Sequence, residues 1–230
     1  MSDDEYTKLP ESEIEVRDVT ADYAETIKNL LVSDPFIPKL RFPRLRFPAL
    51  EGLGYCAEDY KAIAKMIAPD RIEIYETRND ELFNAKYASY GDMNFYVLTP
   101  KITVAPSLSV RTLVHETTHA IQDWKKWRES SLDREVDAHF AEALYLVKSK
   151  KAHEAKSDIG MTYFMIAAEE YDNDPKYLAS NGFRKIREKM RAEIFQHYQF
   201  MSSLLVSNFD AEEFGKKFRK RQRLDGIPQK

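Results

Sequence analysis

The sequence predicts an α+β protein dominated by helix. Period-two runs of β-branched and aromatic residues are confined to the middle of the chain, around residues 71–77 and 94–105. Helical spacing of apolar residues precedes them, then resumes at residue 110 and continues almost to the end. A chain of 230 residues with 43% hydrophobic and 32% charged content can bury one large core and suits a helix-rich surface. The reading is one domain over residues 17–230 with a soft boundary near 155, where a helical C-terminal half begins. The acidic, polar residues 1–16 are expected to be disordered or loosely attached.

Thr20 is placed to cap a first helix over 21–31, with Tyr23, Ile27, Leu30 and Leu31 as its apolar face. Prolines 38, 43 and 48 then argue against helix and favour an extended arm, in which Arg41, Arg44 and Arg46 alternate with apolar residues. An arm packed on the body is preferred over a nucleic-acid contact. Residues 58–67 read as a helix stopped by Pro69, and 71–77 as a strand. Residues 87–92 read as loop, punctuated by Gly91, and 94–98 with 101–105 as a hairpin. Ser107 or Ser109 can cap the next helix, which begins at Val110 and reaches about Trp127. Trp124 and Trp127 are expected to cover its end. Ser130 and Asp133 have capping-box spacing ahead of a helix over 132–148. Helical pattern returns at 161–171, 175–180 and 183–206, and a basic helix is expected at 210–223.

Several function classes are disfavoured by composition. The net charge of -3 creates no field that would gather nucleic acid. The basic run Lys216–Arg223 reads as a solvated helix face and only weakly as a nucleic-acid contact. The single cysteine, Cys56, excludes an intrachain disulfide and a cysteine-rich zinc cluster. No phosphate loop, dinucleotide fingerprint or serine-nucleophile elbow is present. The first residues lack a signal-peptide pattern, and no apolar run approaches a membrane span. A cytoplasmic protein with no membrane partner is expected, although leaderless export would leave the same sequence.

The chemical signal is His115-Glu116-Thr117-Thr118-His119. His115 and His119 stand four apart, so one helical face presents both imidazoles one turn apart, a spacing that can hold one zinc ion. Glu116 lies beside them, within reach of a water at the metal. Val110, Leu113, Val114, Thr117, Ile121 and Trp124 form the apolar face of that helix. A catalytic zinc takes three protein ligands and keeps one position open. On the next helix Glu135, His139 and Glu142 share a face at i, i+4 and i+7. Glu135 is preferred as the third ligand. It sits in the first turn after the chain reverses, Ala138 and Ala141 allow close helix approach, and a carboxylate suits a hydrolase. His139 and Glu142 remain alternatives or outer supports, and Asp137 could orient a histidine through its ring N–H.

These residues, with the run Glu135-Val136-Asp137-Ala138-His139, resemble the gluzincin type of zinc metallopeptidase. The matching motifs span about residues 94–145. The run after His119 carries neither the third histidine nor the glycine of the metzincin pattern. The resemblance implies a zincin-like core, with a small sheet packed on the His115–His119 helix. It implies one zinc held by His115, His119 and Glu135, Glu116 as general base, and a protein or peptide substrate. It also implies a sheet edge above the zinc helix that pairs with extended substrate, either 94–98 or 101–105. Tyr163, Tyr145 and His153 are candidates for a further oxyanion donor. Two other functions are open: a non-catalytic interaction protein on the same scaffold, and a peptidase effector or toxin aimed at a foreign protein.

Overall fold

A computed structural model describes residues 7–8, 15–48, 54–68, 71–77, 85–90, 93–98, 110–155 and 160–204 of the chain. The architecture is α+β and mostly helical, as the periodicity predicted. Its main sheet takes β1 (Thr7–Lys8), β2 (Glu15–Asp18), β5 (Ile72–Thr77), β6 (Ala85–Tyr90) and β7 (Met93–Leu98) in the spatial order β1-β2-β5-β7-β6. Residues 7–8 and 15–16, within the stretch expected to be disordered or loosely attached, therefore belong to the sheet. β5 and β7 run parallel, and every other pairing in this sheet is antiparallel.

Two expectations about the sheet are corrected. Residues 87–90, read as loop, belong to β6, and the hairpin partner of β7 is this preceding strand. Tyr90 pairs with Met93 and Ala85 with Leu98. Among the described residues β6 is an edge strand, and it lacks the continuous apolar run that marks a central one. Residues 94–98 thus lie inside the sheet rather than at its edge, and 101–105 fall outside the described residues, as do Ser107 and Ser109.

Helix α1 (Thr20–Ser33) packs on β5, buries Ala24, Ile27 and Leu31, and begins one residue earlier than expected. Thr20 is its first residue rather than its cap. The Thr20 hydroxyl accepts from Ile74 N–H at 2.8 Å, and Asp18 Oδ1 takes the Thr20 N–H at 2.8 Å. The helix start is thereby tied to the sheet.

The proline-rich arm packs on the body, as predicted. β3 (Phe42–Pro43) pairs with β4 (Gly54–Tyr55), and Leu40, Phe42 and Leu45 are buried. The Arg44 guanidinium meets Glu129 at 2.5 Å and lies 4.7 Å from the Trp127 ring centroid. Gly54 is required by close approach: a Cβ there would sit 2.4 Å from Phe42 O and 2.9 Å from Pro43 Cα. Both are backbone atoms and cannot step aside. Gly54→Ala is expected to part this strand pair and cost about 1–3 kcal/mol, read from the urea midpoint. An unchanged midpoint would mean that the pair contributes nothing to stability.

Helix α2 (Ala57–Met66) starts after Cys56, whose N–H is accepted by Asp59 Oδ2 at 2.8 Å. Helix α3 (Val110–Trp124) is enclosed, with every residue from Leu113 to Gln122 buried. The two threonines of its motif face opposite neighbours. The Thr117 hydroxyl meets Tyr96 of β7 at 3.2 Å, and the Thr118 hydroxyl meets Tyr60 of α2 at 3.0 Å. Trp124, expected in the core, is 45% exposed, whereas Trp127 packs edge-on against Tyr55.

Helix α4 (Ser131–Lys148) starts at the predicted cap, where Ser130 Oγ accepts the Asp133 N–H at 3.2 Å. Helices α5 (Thr162–Asn173) and α6 (Asn181–Leu204) pack against it. Their contacts cross the soft boundary near 155: Phe164 meets the His139 ring, and Arg187 and Arg191 pair with Asp133. The basic helix expected at 210–223 lies outside the described residues. Among the described residues no helix is long and apolar enough to cross a membrane.

Candidate metal centre

Helices α3 and α4 lie against each other, and Ala138 and Ala141 are fully buried between larger neighbours. The Arg134 side chain fixes their meeting. Its Nη2 donates to Asp123 Oδ1 at 2.6 Å and its Nε to Gln122 Oε1 at 3.0 Å. That clamp from α4 back to the end of α3 sets the direction of the next residue, Glu135.

Glu135 lies between the two motif histidines. Its Oε2 is 3.4 Å from His115 Nε2, and its Oε1 is 3.4 Å from His119 Nε2. His115 turns its other nitrogen, Nδ1, toward Glu142 Oε2 at 3.4 Å, and Arg111 Nε lies 3.6 Å from Glu142 Oε1. A carboxylate behind a ligating imidazole is a common outer support of metal sites. His139 stands with its ring centroid 4.4 Å from that of His115. One ligand atom each from His115, Glu135 and His139 lie within 4.8 Å of one another. Glu116 points to the sheet side, where its Oε2 accepts the Tyr87 N–H of β6 at 2.6 Å.

The cluster crowds three carboxylates and three imidazoles into buried space. Burial pushes Glu135 up, but His119 and His115 hold it well below the usual carboxylate range. Burial pushes His115 down, but Glu135 and Glu142 raise it well above the ordinary histidine value; Glu135 likewise raises His119 against burial. The Glu116 carboxyl is raised, first by burial. His139 is lowered to about 4, by burial and then by the neighbouring His115, so it is a neutral imidazole near pH 7.

A metal ion fits this donor set. His115 Nδ1, Glu135 Oε2 and His139 Nδ1 are buried polar atoms without a hydrogen-bond partner. Such orphans cost free energy unless something binds them. Two donors each about 2.0–2.1 Å from a tetrahedral zinc stand about 3.4 Å apart. The two Glu135–histidine separations have that length, which is long for a hydrogen bond. Imidazole and carboxylate donors suit zinc and other first-row divalent ions such as iron, nickel and copper.

The predicted residues therefore separate into two groups. His115, Glu116, His119, Glu135, His139 and Glu142 come together. The others are placed elsewhere. Asp137 accepts from Tyr55 Oη at 2.8 Å and Leu45 N at 3.1 Å, so it binds no histidine ring directly. The Tyr145 hydroxyl donates to Asp34 at 3.0 Å. Tyr163 carries Lys189 over its ring, and His153 lies in a short 3-10 turn, Ala152–Ala155. Sequence reasoning missed Tyr87, Tyr55 and Gln122. Only Gln122 carried a local signal, being three residues beyond His119 on the same helical face. Comparison with protein-family models, curated proteins and solved structures finds no match.

Proposed function

We propose that the chain is a zinc-dependent peptidase with a gluzincin-like centre, built on a zincin-like core. The observation that carries the reading is the Glu135 carboxylate, brought by α4 to 3.4 Å from each motif histidine, beside a buried Glu116. His115, His119 and Glu135 would hold the metal. When bound, zinc supplies Lewis acidity, which makes a water more acidic and polarises a carbonyl. Glu116 takes the proton of the attacking water and passes it to the leaving amine. The Tyr87 N–H holds one Glu116 oxygen, which leaves the other for that transfer. The edge that β6 presents among the described residues would pair with an extended substrate, in place of 94–98.

The peptidase reading is tested by measuring bound metal and cleavage of an unfolded protein together. One equivalent of zinc and chelator-sensitive cleavage are expected. Folded protein that takes up no zinc ends the reading. Stoichiometric zinc with no cleavage of any unfolded protein favours the non-catalytic interaction scaffold. Peptidase chemistry is equally compatible with an effector acting on a foreign protein.

A second ligand set replaces His119 by His139, favoured by the mutual proximity of His115, Glu135 and His139. We favour His119 because its Nε2 faces Glu135 Oε1 at 3.4 Å while Gln122 holds its Nδ1 at 3.0 Å, whereas the contact of His139 Nδ1 with Glu142 Oε2 is 3.7 Å long. His119→Ala is accordingly expected to weaken zinc far more than His139→Ala, by chelator competition. The reverse order would transfer the ligand role to His139.

A further inference from the structure

The geometry points to Gln122 and Tyr55 as positioning residues that fix the tautomer of His119. This inference rests on the reading of His119 as a metal ligand. Gln122 is fully buried, and its amide has one orientation because Arg134 reads both ends of it. Arg134 Nε, which can only donate, lies 3.0 Å from one amide atom, so that atom is Oε1. Arg134 O, which can only accept, lies 3.0 Å from the other, so that atom is Nε2. The Oε1 atom also faces His119 Nδ1 at 3.0 Å. An amide oxygen accepts and never donates, so His119 must carry its proton on Nδ1. The lone pair is then left on Nε2, the atom facing Glu135.

The chain of bonds continues outward. Gln122 Nε2 donates to Tyr55 Oη at 2.9 Å, and Tyr55 Oη donates to Asp137 Oδ2 at 2.8 Å. Every donor points the same way, from His119 to Asp137. Leu45 N–H closes on the other Asp137 oxygen at 3.1 Å. The proline-rich arm and β4 thus brace His119 through Gln122. That arrangement accounts for a buried aspartate on α4 that orients no histidine itself.

The test reads zinc affinity by chelator competition and the His119 ring nitrogens by NMR. The NMR is recorded on metal-free protein at alkaline pH, where the ring is neutral. Wild type is expected to show the proton on Nδ1. Gln122→Leu is expected to weaken zinc by about 10–100-fold and to mix the tautomers. Gln122→Glu keeps an acceptor opposite Nδ1 but sets its other oxygen against Arg134 O, so it is expected to restore the Nδ1 proton and only part of the affinity. Tyr55→Phe removes one oxygen and should shift both readouts less, so it carries the comparison should Gln122→Leu not fold. A wild-type proton on Nε2 overturns the inference, as does unchanged affinity and tautomer in folded Gln122→Leu, or in Tyr55→Phe where it stands in. Wild type that binds no zinc removes the metal reading alone, because the tautomer in metal-free protein still decides the role of Gln122.

Discussion

Glu116→Gln is expected to lower kcat for peptide hydrolysis by about 100- to 10,000-fold while zinc stays bound. Glutamine has nearly the same shape, and its amide oxygen can still accept the Tyr87 N–H that now bonds Glu116 Oε2 at 2.6 Å. Glu116 is 7% exposed, so a misfit would show in stability, and an isosteric amide avoids one. What disappears is the capacity to take a proton. His115, His119 and Glu135 keep their places, so metal content should be unchanged. KM should change little, because in the proposed mechanism the carboxylate acts in the transition state rather than in holding substrate. Steady-state kinetics with metal analysis on the same sample separates the outcomes. Retained hydrolysis with retained zinc would remove Glu116 from the mechanism. Lost zinc would instead make it a structural part of the metal site.

The parts of the site readable in the sequence were those set by local geometry. The i, i+4 spacing of His115 and His119 and the Ser130–Asp133 cap define two helices and which faces carry donors. A tight reversal between those helices then makes Glu135, early in α4 and on the face shared with His139 and Glu142, the natural partner. What was hidden depended on long-range pairing. Tyr55 meets Gln122 across 67 positions and Asp137 across 82. No periodicity records such contacts. β6 was hidden for another reason: its sequence, Ala-Lys-Tyr-Ala-Ser-Tyr, carries no β-branched residue and runs into Gly91, so it looks like loop. The two tryptophans show the limit of helical periodicity itself. Trp124 falls on the predicted apolar stripe at the last turn of α3, where the core has ended, and it projects into solvent. Trp127 lies beyond the helix, after Lys126 takes a positive φ of 54°, and this turn folds it back on Tyr55.

Asp133→Ala is expected to cost about 3 kcal/mol of stability. Asp133 is 5% exposed and gathers donors from three separate parts of the chain. Its Oδ2 accepts from Ser130 Oγ at 2.8 Å and lies 3.7 Å from Arg46 of the arm. Its Oδ1 accepts from Arg187 at 2.8 Å and from Arg191, both on α6. Removing the carboxylate leaves these guanidiniums facing one another, and Arg187 Nε is already buried without a partner. Like charges brought together this way repel, and the side chains are only partly able to turn to water. The same change strips a negative charge from the first turn of α4. Against this, Arg46 and Arg191 side chains are 44% and 29% exposed, which places the loss at the lower end of what breaking a buried pair costs. Urea denaturation reads the effect. Replacing both Asp133 and Arg187 by leucine should lose less than the two single changes added together, because the pair is removed whole. A loss under about 0.5 kcal/mol for Asp133→Ala would put this carboxylate in the class of ordinary surface positions. The anchoring of α6 on α4 would then rest on apolar contacts such as Phe183 and Met190 alone.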